Sequence, residues 1–503
     1  MKIQPPGGEE RLRVFSTRVE NLLARTFYDE RMPPKTLQFR AGDPFELLPV
    51  GGRALPRRSF TETFYDTAGG RLGRAGFTLR RRIENGKGLW RLTVVCDGAR
   101  TLDVEAPGGP AGPPDELREL VSAASAGFEL EPVLRARTQT TGVRVRAGKR
   151  SLATITVASI ALLDGQRTTS SFNEIELEQL SATRKELARL ESALLASGAE
   201  PTNGAGPLEE ALAREPQPEL PLPSTELEQL RSYLREQYAQ MLVHDPGVRV
   251  GDDPEDLHQL RVAARRLRSV LKTAEPILDA TWVAGMREEL AWLGAELGAS
   301  RDLDVLIPYL RAEAAALDAA DRRALAQLFR TLEDGRAGAR KSVLEALRSE
   351  RYLALLASIE AAAAGPPPGG TGSLHDEARK QFKKLKKAMR AVEEDPTDEA
   401  IHEARKEGKR ARYATELLED ELGKRGAKLL SAAKDFQDAA GEHQDAVVAE
   451  ARIRALLRGV RAQRAALAAG MLISGQRERR RAAADALPKA WRRYEQAAEK
   501  VWA

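Results

Sequence analysis

The second half of the chain contains an internal repeat, and this repeat constrains the fold more than any other feature of the sequence. His258 and His402 are each followed by basic residues at offsets +3, +7, +8 and +10. These residues are Arg261, Arg265, Arg266 and Arg268 in the first copy, and Arg405, Lys409, Arg410 and Arg412 in the second. A Gly-x-x-x-Asp sequence ends at Asp302, 44 residues after the first histidine, and again at Asp445, 43 residues after the second. Because repeated spacing marks repeated structure, we predict two equivalent helical units.

The rest of the sequence divides by pattern into a strand-rich and a helical half. Between residues 60 and 180, short segments alternate apolar and polar residues, which is typical of strands. Pro- and Gly-rich stretches at 203–207 and 215–224 indicate a domain boundary. From Thr225 onward, Ala, Leu, Arg, Glu and Lys recur at helical spacing, interrupted chiefly at 361–373. We therefore predict a helical bundle in two parts after the boundary.

Composition narrows the classes of function. The net charge is only +5 for 79 basic and 74 acidic residues, so any affinity for anions must come from how the charges are sorted in space. Cys96 is the only cysteine, which excludes an intramolecular disulfide and a cysteine-based zinc site. No signal-peptide pattern and no run of about 18 apolar residues occurs, so we expect a cytoplasmic protein with no membrane partner.

The first copy of the repeat predicts a helix with one cationic face. Five basic side chains lie within roughly 80° of His258 on a helical projection, and the stripe is about 21 Å long. They are Arg261, Arg265, Arg266, Arg268 and Lys272. Since like charges at this spacing repel, an extended polyanion would relieve the whole stripe.

The second copy repeats this sorting of charge. Lys406 joins the stripe, and Glu403 and Glu407 are expected to project well away from it. Small residues around Gly408 predict close helix packing. A further basic stripe on the preceding helix would complete a groove; its members are Lys380, Lys383, Lys384 and Lys387.

Other interpretations of these residues stay open. Basic helices are usually solvated surface, and they also permit nonspecific binding of nucleic acid, although few aromatic residues accompany them. The two repeated histidines are either hydrogen-bonded structural residues or contacts to phosphate oxygens. A metal site at His258 is less favoured, because no histidine or cysteine follows at i+3 or i+4.

The helical half resembles a known family. The segments HDPGVRVGDDPEDLHQLRVAARRLRSVLK (244–272), GASRDLDV (298–305), HEARKEGKRARY (402–413) and GEHQDA (441–446) are similar to the CHAD family, the conserved-histidine α-helical domain. The resemblance covers residues 225 to 500. It implies two four-helix units related by pseudo-twofold symmetry, whose basic faces line a channel that binds polyphosphate. The positions carried over by the resemblance are His258, Arg261, Arg265, Arg266, Arg268, Lys272, His402, Arg405, Lys406, Lys409, Arg410 and Arg412.

The N-terminal half resembles the CYTH family of triphosphate tunnel enzymes over residues 31 to 205. The resemblance rests on FYDTAGGRLGRAGFTLRRR (64–82), ELEPVLRARTQTTGVRV (129–145), ITVASIALLDG (155–165) and NEIELE (173–178). It implies an antiparallel barrel in which cations hold triphosphate and glutamates hold Mg²⁺ or Mn²⁺. The tunnel cations would be Arg80, Arg82, Arg135, Arg137, Arg144 and Arg146, and the metal ligands would be Glu174 and Glu176.

Departures from the CYTH pattern weigh against an enzyme. The family's first Glu-x-Glu-x-Lys motif is replaced by Pro34, Thr36 and Gln38. Thr93 and Ala158 stand where a lysine and an acidic residue are expected. A hard divalent cation needs several oxygen ligands, preferably charged, so metal-assisted hydrolysis is put in doubt. We assign no catalytic residue, and we expect Mg²⁺ or Mn²⁺ to be bound only if this domain is active.

The sequence thus predicts an α+β chain of two domains. An N-terminal extension of unknown role (1–30) precedes an antiparallel β-barrel or tunnel with helices (31–205) and a Pro-rich linker (206–224). An all-α domain of duplicated four-helix bundles follows at 225–503, with halves at 225–360 and 374–503. The leading function is polyphosphate binding, with association to polyphosphate granules. The alternatives are a metal-dependent triphosphatase or polyphosphatase and a nonspecific polyanion or nucleic-acid binder, and the oligomeric state stays open.

Overall fold

The computed structural model describes residues 36–47, 49–96, 100–202, 207–212, 225–458 and 462–502. The predicted N-terminal extension at 1–30 and most of the predicted linker at 206–224 lie outside the described residues. The chain divides into two compact units. One comprises Met1–Pro218 with Leu242–Asp252, and the other comprises Glu219–Met241 with Asp253–Ala503.

The first unit contains one antiparallel sheet. Its strands are β1 (Thr36–Ala41), β2 (Gly52–Ala54), β3 (Arg58–Asp66), β4 (Phe77–Glu84), β5 (Lys87–Val95), β6 (Thr101–Pro107), β7 (Glu131–Ala147), β8 (Arg150–Asp164), β9 (Arg167–Gln179) and β10 (Glu200–Pro201). The strand order is β10-β1-β9-β8-β7-β3-β4-β5-β6, and β2 pairs with β7. The β4–β5 hairpin turns at Asn85 and Gly86, both with positive φ, as a tight two-residue turn requires.

Period-2 alternation in these strands separates an apolar outer face from a polar inner face. On β4 and β5, Leu79, Trp90 and Leu92 are buried in the outer core with Leu117. The described residues of this unit also form five helices: α1 (Arg71–Arg74), α2 (Asp115–Leu120), α3 (Ser122–Ser125), α4 (Arg184–Ala196) and α5 (Pro207–Leu212). The predicted antiparallel domain with helices is confirmed. Among the described strands, β6 and β10 end the sheet, which curls around a cavity without a hydrogen-bonded closure.

The remaining helices follow the 3.6-residue apolar pattern of the second half. They are α6 (Thr225–Val250), α7 (Pro254–Ala274), α8 (Ala280–Ala315), α9 (Ala319–Ala324), α10 (Ala326–Arg348), α11 (Glu350–Ala364), α12 (Leu374–Glu394), α13 (Asp398–Glu416), α14 (Glu419–Leu457) and α15 (Gln463–Trp502). Gly423, with φ of 52°, breaks the regular helix near the start of α14. The predicted all-helical C-terminal region is confirmed. None of the helices in the described ranges combines the length and apolar character needed to cross a bilayer.

The two repeat helices, α7 and α13, begin in the same way. The Asp253 carboxylate accepts a hydrogen bond from the Glu255 amide, and the Thr397 hydroxyl accepts one from the Ala400 amide. Each histidine is therefore the fifth residue of its helix, at 258 and at 402. The sequence repeat is thus also a repeat in helix register.

Two of the apolar cores in the described part of the helical unit fix the surroundings of α13 and α14. One core is shared by α12, α13, α14 and α15 and contains Phe436 and Trp491. In the other, the end of α14 and the start of α15 pack against α8 and α10. A Cβ on Gly408 would lie 2.5 Å from Phe436 Cε1, which confirms the predicted close packing at this glycine. The second half of the duplication therefore contributes helices to both cores, and the first half contributes α8 and α10 to one of them.

Candidate functional site

Helices α7 and α13 bring four cationic side chains together, two from each repeat. We call Arg261, Arg265, Arg405 and Lys409 the inner cationic cluster. Burial is the largest cause of the lowered pKa of Lys409, and the charges of Arg405, Arg265 and Arg261 lower it further, to about 7. Only charges that lie close together in a partly desolvated place affect one another this strongly. The cluster is therefore a concentrated positive site.

In both repeats, the glycine of the Gly-x-x-x-Asp motif packs against an arginine of the inner cationic cluster. A Cβ on Gly298 would lie 3.8 Å from the Arg261 guanidinium, and one on Gly441 would lie 4.0 Å from Arg405 Nε. Asp302 lies 3.7 Å from Arg261. The absence of side chains at these two glycines lets each arginine lie against the following helix, α8 or α14.

Both repeat-equivalent arginines have unused hydrogen-bonding capacity. Among the described residues, the Nε atoms of Arg261 and Arg405 are buried and have no hydrogen-bond partner. Burial lowers the pKa of both guanidinium groups. Arg265, by contrast, donates from Nε to the Tyr413 hydroxyl at 3.0 Å. Since unpaired buried donors are costly, these arginines are poised to bind acceptor oxygens.

The carboxylates nearby do not balance the inner cationic cluster. Four cations face Asp302 and Asp445, which leaves an excess of two positive charges when all six groups are ionised. Burial also raises the pKa of Asp445, which weakens it as a counter-ion. The surplus favours binding of an anion.

The two repeated histidines lie beside the inner cationic cluster in different surroundings. His402 Nδ1 and Gln444 Oε1 are 2.6 Å apart and form a hydrogen bond. In the first repeat, burial lowers the pKa of His258, and Arg301, which occupies the position equivalent to Gln444, lowers it further. The lowered pKa favours a neutral His258 in the free protein.

Several predicted ligands are instead held by carboxylates. Arg412 donates from Nε to Glu416 at 2.9 Å, and Arg266 lies 3.8 Å from the same carboxylate. Intrahelical or local pairs hold four more cations: Lys406 with Glu403, Arg410 with Glu407, Lys380 with Glu377, and Lys272 with Glu275. Glu403 and Glu407 were predicted to project away from the stripe, yet Lys406 and Arg410 of the stripe reach them. Residues three apart on a helix are neighbours, and long side chains bridge the angular separation.

The other predicted cations are exposed. Within the described ranges, no hydrogen bond or ion pair involves Arg268, Lys383, Lys384 or Lys387. The structure therefore divides the predicted stripe into a partly buried cluster, a carboxylate-paired group and a solvated group.

The first unit has a separate cavity of about 270 Å³ on the inner face of its sheet. Thr78, Arg80, Glu174 and Glu176 line it, together with Gln38. Burial and the neighbouring Glu178 carboxylate raise the pKa of Glu176, in that order of size. Leu208 and Leu212 of α5 also line the cavity, and the Leu208 amide donates to Glu174 at 3.0 Å.

The structure corrects the predicted tunnel cations. Register pairs Arg135 with Thr63 and Arg137 with Thr61, so both lie on the face opposite to Arg80 and are exposed. Arg144 and Arg146 are exposed near the end of β7 and do not line the cavity. Register explains the outer position of Arg135 and Arg137, because the inner face of β7 carries Ala136 and Thr138. Arg144 shares that inner face, since it pairs with Thr154, but it lies beyond the residues that line the cavity.

Sequence reasoning missed the acidic partners of the inner face. Glu62, only 3% exposed, lies 3.4 Å from Arg80 and 3.0 Å from Arg82. Asp103 accepts hydrogen bonds from Arg91 at 3.0 Å and from Thr93 at 2.6 Å. The alternation around Glu62 on β3 was the available signal. These carboxylates neutralise cations that a triphosphate would need.

The inner face fits a divalent metal poorly. Of the residues that line the cavity, Glu174 and Glu176 are the only carboxylates within the described part of the chain, and Glu174 already accepts the Leu208 amide. Gln38 is paired in register with Glu176, and Ala158 with Glu174, so neutral groups stand beside both acids. Mg²⁺ and Mn²⁺ favour more charged oxygen ligands than this set offers. We derive no metal-dependent step from it.

Comparison with known proteins covers both units. An uncharacterized protein of Mycobacterium tuberculosis is 29% identical over an alignment of 427 residues, which covers 78% of this chain and 81% of that protein. The CHAD domain of the plant Ricinus communis is 27% identical, with a TM-score of 0.43, over 55% of this chain and 95% of that chain. A candidate adenylyl cyclase from Hippeastrum with a dominant triphosphatase activity is 15% identical, with a TM-score of 0.22, over 34% of this chain and 91% of that chain.

The sequence profile of the CHAD domain matches residues 232–454. This range contains both repeat histidines, both Gly-x-x-x-Asp motifs and the whole inner cationic cluster. Residues 232–454 of this chain therefore form a CHAD domain.

Proposed function

We propose that the helical unit binds inorganic polyphosphate through the inner cationic cluster. The observation that supports this most is the convergence of cations from both repeats, with two aspartates for four positive groups. The lowered pKa of Lys409, about 7, shows that its charged form is destabilised by this arrangement in the free protein. A bound polyanion would remove that cost by supplying the missing negative charge.

A linear polyphosphate suits the duplicated geometry. Arg261 and Arg405 present equivalent buried Nε donors from the two repeats, and arginine binds phosphate oxygens in a fixed geometry. A polymer with one repeating anionic group offers the same chemistry to both. Exposed lysines such as Lys383 and Lys387 would add weaker, solvated contacts to a chain leaving the site.

Removing the inner cationic cluster tests the proposal. We compare the wild-type protein with a cluster variant, R261Q/R265Q/R405Q/K409Q, by titration calorimetry with long-chain polyphosphate. The control variant, R268Q/K383Q/K384Q/K387Q, removes the same number of cations from exposed positions. The cluster variant should lose affinity by about a hundredfold or more, and the control by a few fold. Equal losses would show that only total charge matters and would defeat the proposal.

Competition separates this function from nonspecific polyanion binding. Polyphosphate should displace labelled DNA or RNA at matched phosphate concentration, and nucleic acid should displace polyphosphate poorly. Equal competition would favour a general polyanion or nucleic-acid binder.

Association with polyphosphate granules follows from the same proposal. A fluorescent fusion should co-localise with granules in cells that accumulate polyphosphate, and the cluster variant should be dispersed. Co-localisation of the cluster variant would argue for another mode of attachment.

A second candidate function is hydrolysis of triphosphate in the first unit, because Arg80 and Glu176 line one cavity. Given the paired arginines and the poor metal ligand set, we expect no metal-dependent release of phosphate. A phosphate-release assay with Mg²⁺ or Mn²⁺ tests this expectation. Turnover in the wild-type protein that is lost in Glu176→Gln would overturn it.

A further inference from the structure

A second cavity in the helical unit has the opposite charge. It has a volume of about 360 Å³, within the range of small-molecule sites, and lies between α6, α7, α13 and the start of α14. Its acidic wall consists of Glu236, Glu416, Glu419 and Asp420. The inner cationic cluster contributes no residue to this lining.

Only one of the four acids is neutralised by the protein. Glu416 accepts hydrogen bonds from Arg412 at 2.9 Å and from Tyr233 at 3.2 Å, and it lies 3.8 Å from Arg266. In the described part of the chain, no hydrogen bond or ion pair involves the side chains of Glu236, Glu419 or Asp420. Four carboxylates against two guanidiniums leave an excess of two negative charges.

A buried amide gives independent evidence for a ligand. Gln237 is 1% exposed and lines the same cavity, and its Oε1 has no hydrogen-bond donor among the described residues. The Oε1 of Gln229, also in the lining, is buried and unpaired in the same way. Buried acceptors are normally satisfied, so both oxygens call for an N–H or O–H donor from outside the protein.

We infer that this cavity binds an aliphatic diamine or polyamine. Ammonium groups supply both positive charge for the unpaired carboxylates and N–H donors for Gln237 and Gln229. Leu417 and Leu430 form an apolar part of the wall against which a methylene chain packs. A compact divalent metal ion suits the cavity less, because Arg266 and Arg412 share it and repel a concentrated charge. A diamine spreads its two charges and places them away from the guanidiniums.

Calorimetric titration of the full chain with 1,4-diaminobutane tests the inference. Butylamine, with one ammonium group, and Mg²⁺ serve as comparison ligands. Saturable binding with one diamine per chain is expected, tighter than butylamine by about tenfold. Glu236→Gln and Asp420→Asn change exposed side chains and should each weaken the diamine by about fivefold, as should Gln237→Leu. The matched control Glu394→Gln removes an exposed carboxylate outside the cavity and should change affinity less than about twofold.

Three results would overturn the inference. The first is an absence of saturable diamine binding. The second is equal diamine affinity in Glu236→Gln, Asp420→Asn and the control Glu394→Gln. The third is saturable Mg²⁺ binding that Glu236→Gln and Asp420→Asn abolish, with no binding of diamine. Far-UV circular dichroism of Gln237→Leu shows whether that buried substitution folds. The two exposed substitutions decide the question if it does not.

Discussion

Replacing Lys409 with methionine should stabilise the protein at the expense of binding. The folded-state pKa of Lys409 is about 7, against an ordinary value of 10.5. Folding lowers the pKa of this base, so the free energy of unfolding is reduced wherever the unfolded state is protonated. The reduction is complete below pH 7 and disappears as the pH rises towards 10.5. The difference of about 3.5 pKa units sets an upper limit of about 5 kcal/mol. Because water reaches this half-buried amine, we expect Lys409→Met to gain about 2 kcal/mol at pH 6.

Urea denaturation followed by far-UV ellipticity measures this effect. The Lys409→Met transition of the helical unit should move to higher urea at pH 6 and should nearly coincide with that of the wild type at pH 10. Lys383→Met is the matched control, since Lys383 is exposed, and it should shift little at either pH. A Lys409→Met variant that is less stable at pH 6, or equally stabilised at both pH values, would show that burial of the charged Lys409 amine does not destabilise the fold.

Three further predictions follow from the same structure. Polyphosphate affinity should fall between pH 7 and pH 9, by up to about tenfold per pH unit, because Lys409 loses its proton in the free protein; calorimetry at three pH values should show this dependence in the wild type and not in Lys409→Met. Gly408→Ala should destabilise the helical unit by about 2 kcal/mol through the clash with Phe436, and an unchanged urea midpoint would contradict the packing. Glu62→Gln should destabilise the first unit by about 3 kcal/mol, because it leaves Arg80 and Arg82 without their buried carboxylate. Glu84→Gln, at a more exposed ion pair, should destabilise it by under about 1 kcal/mol in the same urea assay.

The sequence predicted the parts of the helical site that depend on helix period. Arg261 and Arg405 each lie three residues after their histidine, and each histidine is the fifth residue of its helix. The two arginines therefore occupy equivalent positions on α7 and α13. The Gly-x-x-x-Asp motifs were found as a repeat, but their role in seating these arginines needed the neighbouring helices. The selection of Arg261, Arg265, Arg405 and Lys409 from the longer stripe also needed tertiary packing.

Predictions that depended on side-chain reach or strand register were less successful. Lys406 and Arg410 turn along their helix to Glu403 and Glu407, which a helical projection of Cα positions does not show. Arg135 and Arg137 belong to a strand with a charged outer face, and alternation alone does not tell which face is inner. Glu62 was missed because its arginine partners are on the next strand. The acidic cavity around Gln237 joins segments far apart in sequence, so no local motif marks it.

The salt dependence of polyphosphate binding shows whether both repeats supply cations to one site. The logarithm of affinity is measured against the logarithm of salt concentration for the wild type, Arg261→Gln and Arg405→Gln. Each cation that contacts phosphate contributes about 0.7 to 0.9 to the slope. If both repeats contact the polyphosphate, each single variant should lower the slope by about this amount, and the double variant should lower it by about twice as much. Slopes that match the wild type in either single variant would contradict a site shared by the two repeats.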